Sequence, residues 1–142
     1  MEKTVMITIK GTQKNLQGEV QTMEFVTKGT LKPYGKKIFV SYEESELTGT
    51  EGVTTTFEVD GSRVSMLRTG KLNAKMEFVE GSRTESLYAM DVGTLVLGIT
   101  ARRVEAKMDV NGGTICLEYT VELERQTIGL NTYDIRVKAD EE

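Results

Sequence analysis

Apolar and polar side chains alternate along short runs of this chain, and glycine turn dipeptides cut those runs at close intervals. Val5, Ile7 and Ile9 alternate with Thr4, Thr8 and Lys10, and Ile38, Val40 and Tyr42 alternate with Lys37, Ser41 and Glu43. Phe57 and Val59 alternate with Glu58 and Asp60. Ile115, Leu117, Tyr119, Val121 and Leu123 alternate with Cys116, Glu118, Thr120, Glu122 and Glu124. Tyr133, Ile135 and Val137 alternate with Asp134, Arg136 and Lys138. A period of two sends one set of side chains into a core and the other into water, which is a β-strand and not a helix. The residue types agree: 19 Thr, 14 Val and 7 Ile against 5 Ala and 1 Pro suit a pleated, half-buried surface.

Turn signals fall at Gly11-Thr12, Lys32-Pro33-Tyr34-Gly35, Thr48-Gly49, Asp60-Gly61, Thr69-Gly70, Glu80-Gly81, Val92-Gly93, Asn111-Gly112-Gly113 and Ile128-Gly129. Asp-Gly and Asn-Gly are hairpin signals, because a type I′ turn needs positive φ at both central residues. Together these features predict ten strands, over 3–10, 19–31, 36–47, 53–60, 63–68, 73–79, 83–91, 94–107, 113–125 and 131–138. One stretch competes. Ala101, Val104 and Met108 are spaced like one face of a helix, so a short helix is the alternative to a continued strand there. The acidic end, Ala139-Asp140-Glu141-Glu142, reads as a frayed tail.

Antiparallel strands joined by short turns form a sandwich or a barrel. Unbroken hairpins favour up-and-down order, and closing the sheet removes its edges. The expectation is a single all-β domain over residues 1–142, an antiparallel, mostly up-and-down β-barrel of 8–10 strands.

Several function classes are excluded by what is missing. The chain has no His, the usual general base near neutral pH and the commonest transition-metal ligand. Ser-His-Asp and Cys-His nucleophile systems and His-ligated metal centres are therefore ruled out. Cys116 alone can build neither a Cys-only zinc site nor an intrachain disulfide. No cofactor or metal site is expected, and no glycine context matches a P-loop or a dinucleotide fingerprint. The net charge of −4 argues against a nucleic-acid partner, since phosphate binding needs a concentrated basic face. Lys32, Lys36 and Lys37, the nearest approach to a basic cluster, read as a solvated turn. No apolar run approaches the length of a membrane span. A soluble cytoplasmic protein is expected.

Weak motifs recur in a familiar order. Tyr42-Glu43-Glu44 is followed by Val53-Thr54-Thr55-Thr56, Leu67-Arg68-Thr69-Gly70, Met76-Glu77-Phe78, Tyr88, Gly93-Thr94-Leu95 and Thr100. Glu118-Tyr119-Thr120-Val121 and Asn131-Thr132-Tyr133 complete the series. The whole chain resembles the YwiB-like family of uncharacterised bacterial proteins. That resemblance implies a lipocalin-like (calycin-type) β-barrel and supplies no reaction.

Side-chain parity gives a separate argument about function. The core-facing series Ile38, Val40, Tyr42 ends in Glu44, and the series Val64, Met66 ends in Arg68. In an up-and-down barrel these strands run the same way with one strand between them, so their ends meet at one mouth about 9.6 Å apart. Tyr88 and Met90 reach the same end. Glu44, Arg68, Tyr42 and Tyr88 are thus expected to form a polar cluster in that mouth, as a ligand contact or as a plug. Arg68 is the expected anchor, because a guanidinium can bind a carboxylate bidentately.

Other features have plainer readings. The methionines Met6, Met23, Met66, Met76, Met90 and Met108 serve as core filling before they serve as an adaptable pocket. Asp109, Asn111 and Gly112-Gly113 make a hairpin turn and not a calcium loop, and Glu118, Glu122 and Glu124 form a solvated face.

The leading expectation is a binding protein for a small apolar or amphipathic ligand, with a negative head group on Arg68. A filled barrel acting as a structural or protein-interaction domain is the alternative. A third reading is an enzyme using Glu44 beside Arg68, which the arginine opposes by holding the carboxyl ionised. An exposed strand or barrel face would serve a homodimer.

Overall fold

The computed structural model describes residues 2–45, 51–90 and 93–140. Ten strands follow one another along the chain: β1 (Lys3–Asn15), β2 (Val20–Tyr34), β3 (Lys37–Glu43), β4 (Val53–Asp60) and β5 (Arg63–Gly70), then β6 (Asn73–Phe78), β7 (Arg83–Met90), β8 (Gly93–Asp109), β9 (Gly112–Leu123) and β10 (Gln126–Ala139). Each strand pairs antiparallel with its neighbours in sequence, and β1 pairs with β10 to close the barrel. The expected fold class and up-and-down order are both found. The expected turns at Thr48-Gly49 and Val92-Gly93, and the last two residues of the strand expected over 36–47, fall wholly or partly outside the described residues.

Two glycine signals are not turns. β1 continues past Gly11 to Asn15, and Gly11 sits mid-strand opposite Tyr133 and Met23. A Cβ there would come within 3.0 Å of the Tyr133 ring, so the glycine makes room for an aromatic side chain lying over the backbone. Gly129 likewise lies within β10, beside a register shift between Thr127 and Gly129. The β9–β10 turn falls instead at Glu124 and Arg125, the two non-glycine residues with positive φ (52° and 67°) among the described residues. The lysine turn is also smaller than expected: Lys32 lies in β2 and Lys37 in β3, leaving Lys36 in the turn. Nor is the end of the chain frayed through Asp140, for Ala139 belongs to β10 and the Asp140 amide donates to the Thr4 carbonyl at 3.0 Å.

The helix-like spacing in 100–108 comes from a β-bulge. Ala101 pairs with Tyr119 and Arg103 with Glu118, so Arg102 is an extra residue in β8. Before it the odd-numbered residues Leu97, Ile99 and Ala101 face the core, and after it Val104 does, with Ala106 and Met108 packed against the core. A bulge leaves backbone groups to be satisfied from elsewhere. The Glu80 carboxylate accepts from the Val104 amide at 3.0 Å, and the Gly81 amide donates to the Ala101 carbonyl at 2.8 Å. The β6–β7 turn thus braces the bulge.

Beside this brace the β6–β7 ladder is short, with only Asn73–Ala89 and Ala74–Tyr88 paired. Two hydroxyls span the rest of the seam. Ser86 donates to the Lys75 carbonyl at 2.7 Å, and Thr84 donates to the Glu77 carbonyl at 3.0 Å. On the outer face the Arg83 guanidinium crosses Gly98, where a Cβ would meet it at 2.5 Å, and binds Glu122 at 2.8 Å. Glu122, read above as part of a solvated face, is therefore tied across three strands.

The core occupies one end of the lumen. Val5, Ile7, Leu31, Val40, Val64, Phe78, Ile99, Ile115 and Ile135 are almost fully buried there. Met66 and Met76 are core residues, as expected of methionine. The opposite mouth is where β3 and β5 end and β6 and β10 begin, and its interior is polar. Replacing Glu80 with Ala should leave the Val104 amide unpaired and cost about 1 kcal/mol in urea unfolding. Glu80→Gln, which keeps an acceptor, should recover most of that loss. Equal stability of the Ala and Gln variants would show that the turn does not brace the bulge.

Candidate functional site

The site begins with one row of paired residues. Tyr42 on β3 is opposite Thr55 on β4, Thr55 is opposite Arg68 on β5, Arg68 is opposite Ala74 on β6, and Ala74 is opposite Tyr88 on β7. All five share a level of the lumen, because paired residues in a sheet point to the same face. Small Thr55 and Ala74 flank Arg68 and leave space around its long side chain, while the two tyrosines stand one strand further out. Glu44, just past the end of β3, is 8% exposed and accepts from the Thr55 hydroxyl at 3.1 Å. The Tyr42 hydroxyl also donates to it. Tyr42, Glu44, Arg68 and Tyr88 are thus placed inside the same mouth, in the arrangement that strand parity implied. Met90 belongs to β7 and ends at the same mouth.

More residues join them than the sequence reading named. Tyr133 projects from β10 and stacks on Tyr119, with ring centroids 6.3 Å apart and planes at 15°. Tyr119 also meets Phe78 at 4.8 Å, which ties the site to the core below. Phe25 on β2 approaches Tyr42 on β3 at 6.1 Å, above Thr30–Ser41, the last pair between those strands. Four of the five tyrosines therefore surround one arginine. Tyr133 had a signal that was legible: it opens a core-facing series on a strand that starts at this mouth. Asn131, two residues before Tyr133 in the same series, carried the same signal, whereas Gln13 had none while β1 was taken to end at residue 10.

Two cavities meet at this arginine. The larger, about 590 Å³, is lined by Met23, Phe25, Tyr42, Glu44, Phe57 and Arg68 among others. The smaller, about 280 Å³, is lined by Lys14, Arg68, Tyr88, Tyr119 and Asn131 among others. Gln13, Met66, Arg68 and Tyr133 line both and form the partition. The lumen is thus filled at one end and hollow at the other.

The charge in the partition has an unusual setting. No carboxylate among the described residues lies within 4.0 Å of the Arg68 guanidinium. Its buried Nε has no hydrogen-bond partner. Burial works against the cation, and the surrounding Tyr88, Tyr133, Glu44 and Tyr42 outweigh it, so its pKa lies above the ordinary arginine value and it stays charged. The hydroxyls around it are held neutral. Burial and then the Glu44 carboxylate push Tyr42 far upward, burial and then Tyr133 push Tyr119 far upward, and burial raises Tyr88 although Arg68 pulls it down. The result is one fixed cation among protonated phenols, each able to donate a hydrogen bond.

Three of these shifts set a pH dependence. A tyrosine whose folded pKa lies above its unfolded value of 10.0 adds stability that is fully present below that value and is lost as pH rises beyond it. Urea unfolding should therefore be level to about pH 9 and fall above about pH 10, by up to ~1.4 kcal/mol per pH unit for each of Tyr42, Tyr88 and Tyr119. Absorbance at the tyrosinate band should show these three ionising only as the barrel unfolds. Early ionisation of more than two of the five tyrosines in the folded protein would mean that these rings reach solvent.

Comparison with known proteins follows the same lines. Over 102 residues, 72% of this chain and 70% of the relative, the sequence is 28% identical to the uncharacterized β-barrel protein YwiB of Bacillus subtilis (strain 168). The crystal structure of the YwiB protein from Bacillus subtilis matches with a TM-score of 0.86 over 99% of this chain and 94% of that one. At 22% identity, that likeness is one of fold. The family model for a domain of unknown function, DUF1934, matches residues 7–135, and the chain belongs to this family of uncharacterised β-barrel proteins.

Proposed function

We propose that the barrel binds a small amphipathic anion, with its apolar body in the larger cavity and its head group on Arg68. The observation that carries this reading is half-buried Arg68, which lines the cavity, has a buried Nε without a hydrogen-bond partner and has no carboxylate within 4.0 Å among the described residues. A buried cation is costly unless paired and hydrogen-bonded, and a bound carboxylate supplies both. A volume of about 590 Å³ is in the range of small-ligand pockets, and Phe25, Phe57, Met23 and Met66 offer apolar walls. Methionine at two of those positions lets the wall adapt to more than one ligand shape. The hollow end of the lumen weighs against a filled, purely structural barrel. A lone cysteine suits a reducing compartment, and we read the protein as cytoplasmic.

Octanoate is a suitable probe. Calorimetric titration should show one octanoate per chain, and Arg68→Met should weaken binding at least tenfold (about 1.4 kcal/mol or more). The same variant should stay within about 1 kcal/mol of the parent in urea unfolding, because methionine gives up the favourable charge contacts but leaves no buried donor unpaired. Loss of binding without a loss of stability separates a ligand anchor from a structural plug. Unchanged octanoate affinity in Arg68→Met, or no octanoate binding by the parent, would rule out the anchor.

A further inference from the structure

The barrel is not closed along its whole height. β2 pairs with β3 only from Thr30 to Tyr34, so residues 20–29 have β1 on one side and, among the described residues, no strand on the other. The ladder shows which backbone groups face that gap. The Asp140 amide donates to the Thr4 carbonyl, so Thr4 turns its backbone groups to β10. The N–H and C=O of one residue in an antiparallel strand point the same way, and the direction alternates along the strand. Even-numbered residues of β1 therefore face β10 and odd-numbered ones face β2. Through the pairs Ile7–Thr27, Ile9–Phe25 and Gly11–Met23, the odd residues of β2 bond to β1. Thr22, Glu24 and Val26 turn their N–H and C=O the other way, into the gap. Thr30 has the same parity and is the first residue to pair with β3, which agrees. Among the described residues, no backbone hydrogen bond holds Thr22, Glu24 or Val26 on that side.

This edge borders the larger cavity, which Thr22, Met23 and Phe25 line together with Arg68. An extended segment laid on the edge would send alternate side chains inward beside Met23 and Phe25. The same cavity holds a cation with an unpartnered donor. A free edge gives main-chain hydrogen bonds to a peptide, and the pockets beside it select the peptide's side chains.

We propose that the β2 edge and Arg68 form one site for the C-terminal end of an extended peptide, whose backbone adds to Thr22, Glu24 and Val26 and whose carboxylate meets Arg68. This deepens the anion-binding reading and rests on it: the anion is a peptide terminus, and the apolar body is a side chain. Such a ligand satisfies donors and acceptors of the edge that a plain fatty acid leaves to water.

The test compares octanoate with the peptide acetyl-Thr-Val-Leu, as free acid, as C-terminal amide and with its backbone amides methylated, by calorimetric titration. The parent should bind the peptide acid at least tenfold more tightly than octanoate. The C-terminal amide and the methylated acid should each bind at least tenfold more weakly than the peptide acid. Arg68→Met should weaken both acids. Glu24→Pro removes an N–H that faces the gap and leaves the β1–β2 ladder its donors, the position in a sheet where proline is tolerated. It should weaken the peptide acid at least tenfold and leave octanoate within threefold, and an unchanged amide NMR spectrum away from β2 would verify its fold. Equal or tighter binding of octanoate by the parent, or full affinity for the methylated peptide, would overturn the peptide and leave the anion reading standing. So would a dimer of the parent in sedimentation that Glu24→Pro abolishes, which would give the edge to a second copy of the chain. Failure of both acids to bind the parent would overturn the two readings together.

Discussion

Closing ten strands instead of eight sets the terms for everything else in this molecule. An eight-stranded barrel is just narrow enough for its own side chains to fill. Two more strands widen the lumen, and the chain fills only part of it. Phe78, Leu31, Val5, Ile7, Val40, Val64, Ile99, Ile115 and Ile135 pack one end. Toward the other, the inward positions turn to Thr55, Ala74, Gly11 and Gln13, which are small or polar, and space opens above them. The cavity is thus a consequence of strand number and of where the bulky residues stop.

Closure also explains how the site tolerates what it holds. A buried donor left unpaired, as the Arg68 Nε is, lowers stability. The barrel has no sheet edge along its β1–β10 seam, where Val5–Ala139 through Asn15–Gly129 pair without interruption. Its packed end supplies the burial that stabilises the fold, so the open end can carry groups that do not. Tyr119 connects the two regions, packing on Phe78 below and stacking on Tyr133 above. The weaker β6–β7 seam is offset locally, by the Ser86 and Thr84 hydroxyls and by the Glu80 brace on β8.

Much of this was legible in the sequence because barrel strands obey a period of two. Parity and strand direction located Tyr42, Glu44, Arg68 and Tyr88 in one mouth, since Glu44 and Arg68 each extend an apolar series and Tyr88 lies near the end of a strand running the same way. Two strands resisted the same reasoning for identifiable reasons. On β2 the outward positions include Val20 and Val26, both more than half exposed, so apolar character appears on both faces and hides which one is inside. On β8 the bulge at Arg102 reverses the parity partway along and produces spacings that imitate a helix. Glycine was misleading at Gly11 and Gly129 because its lack of a side chain served a neighbour's approach and not a turn. The β9–β10 turn used Glu124 and Arg125, residue types that carry no positive-φ signal. Gln13 could not be found until β1 was known to run on to Asn15.

The separation of Glu44 from Arg68 has a structural cause of its own. A glutamate and an arginine in one lumen would ordinarily close into a salt bridge, which would neutralise the site and block the cavity. Here the row Tyr42, Thr55, Arg68 places one strand and one hydroxyl between them. Thr55 is fully buried and bonds to Glu44, and Tyr42 donates to the same carboxylate from its own strand. Both donors hold Glu44 on the β3 side. On the other flank Ala74 offers Arg68 no hydrogen-bonding side chain, so nothing on β6 draws the guanidinium away from the partition. A threonine on one side and an alanine on the other therefore keep two opposite charges apart within a single cavity.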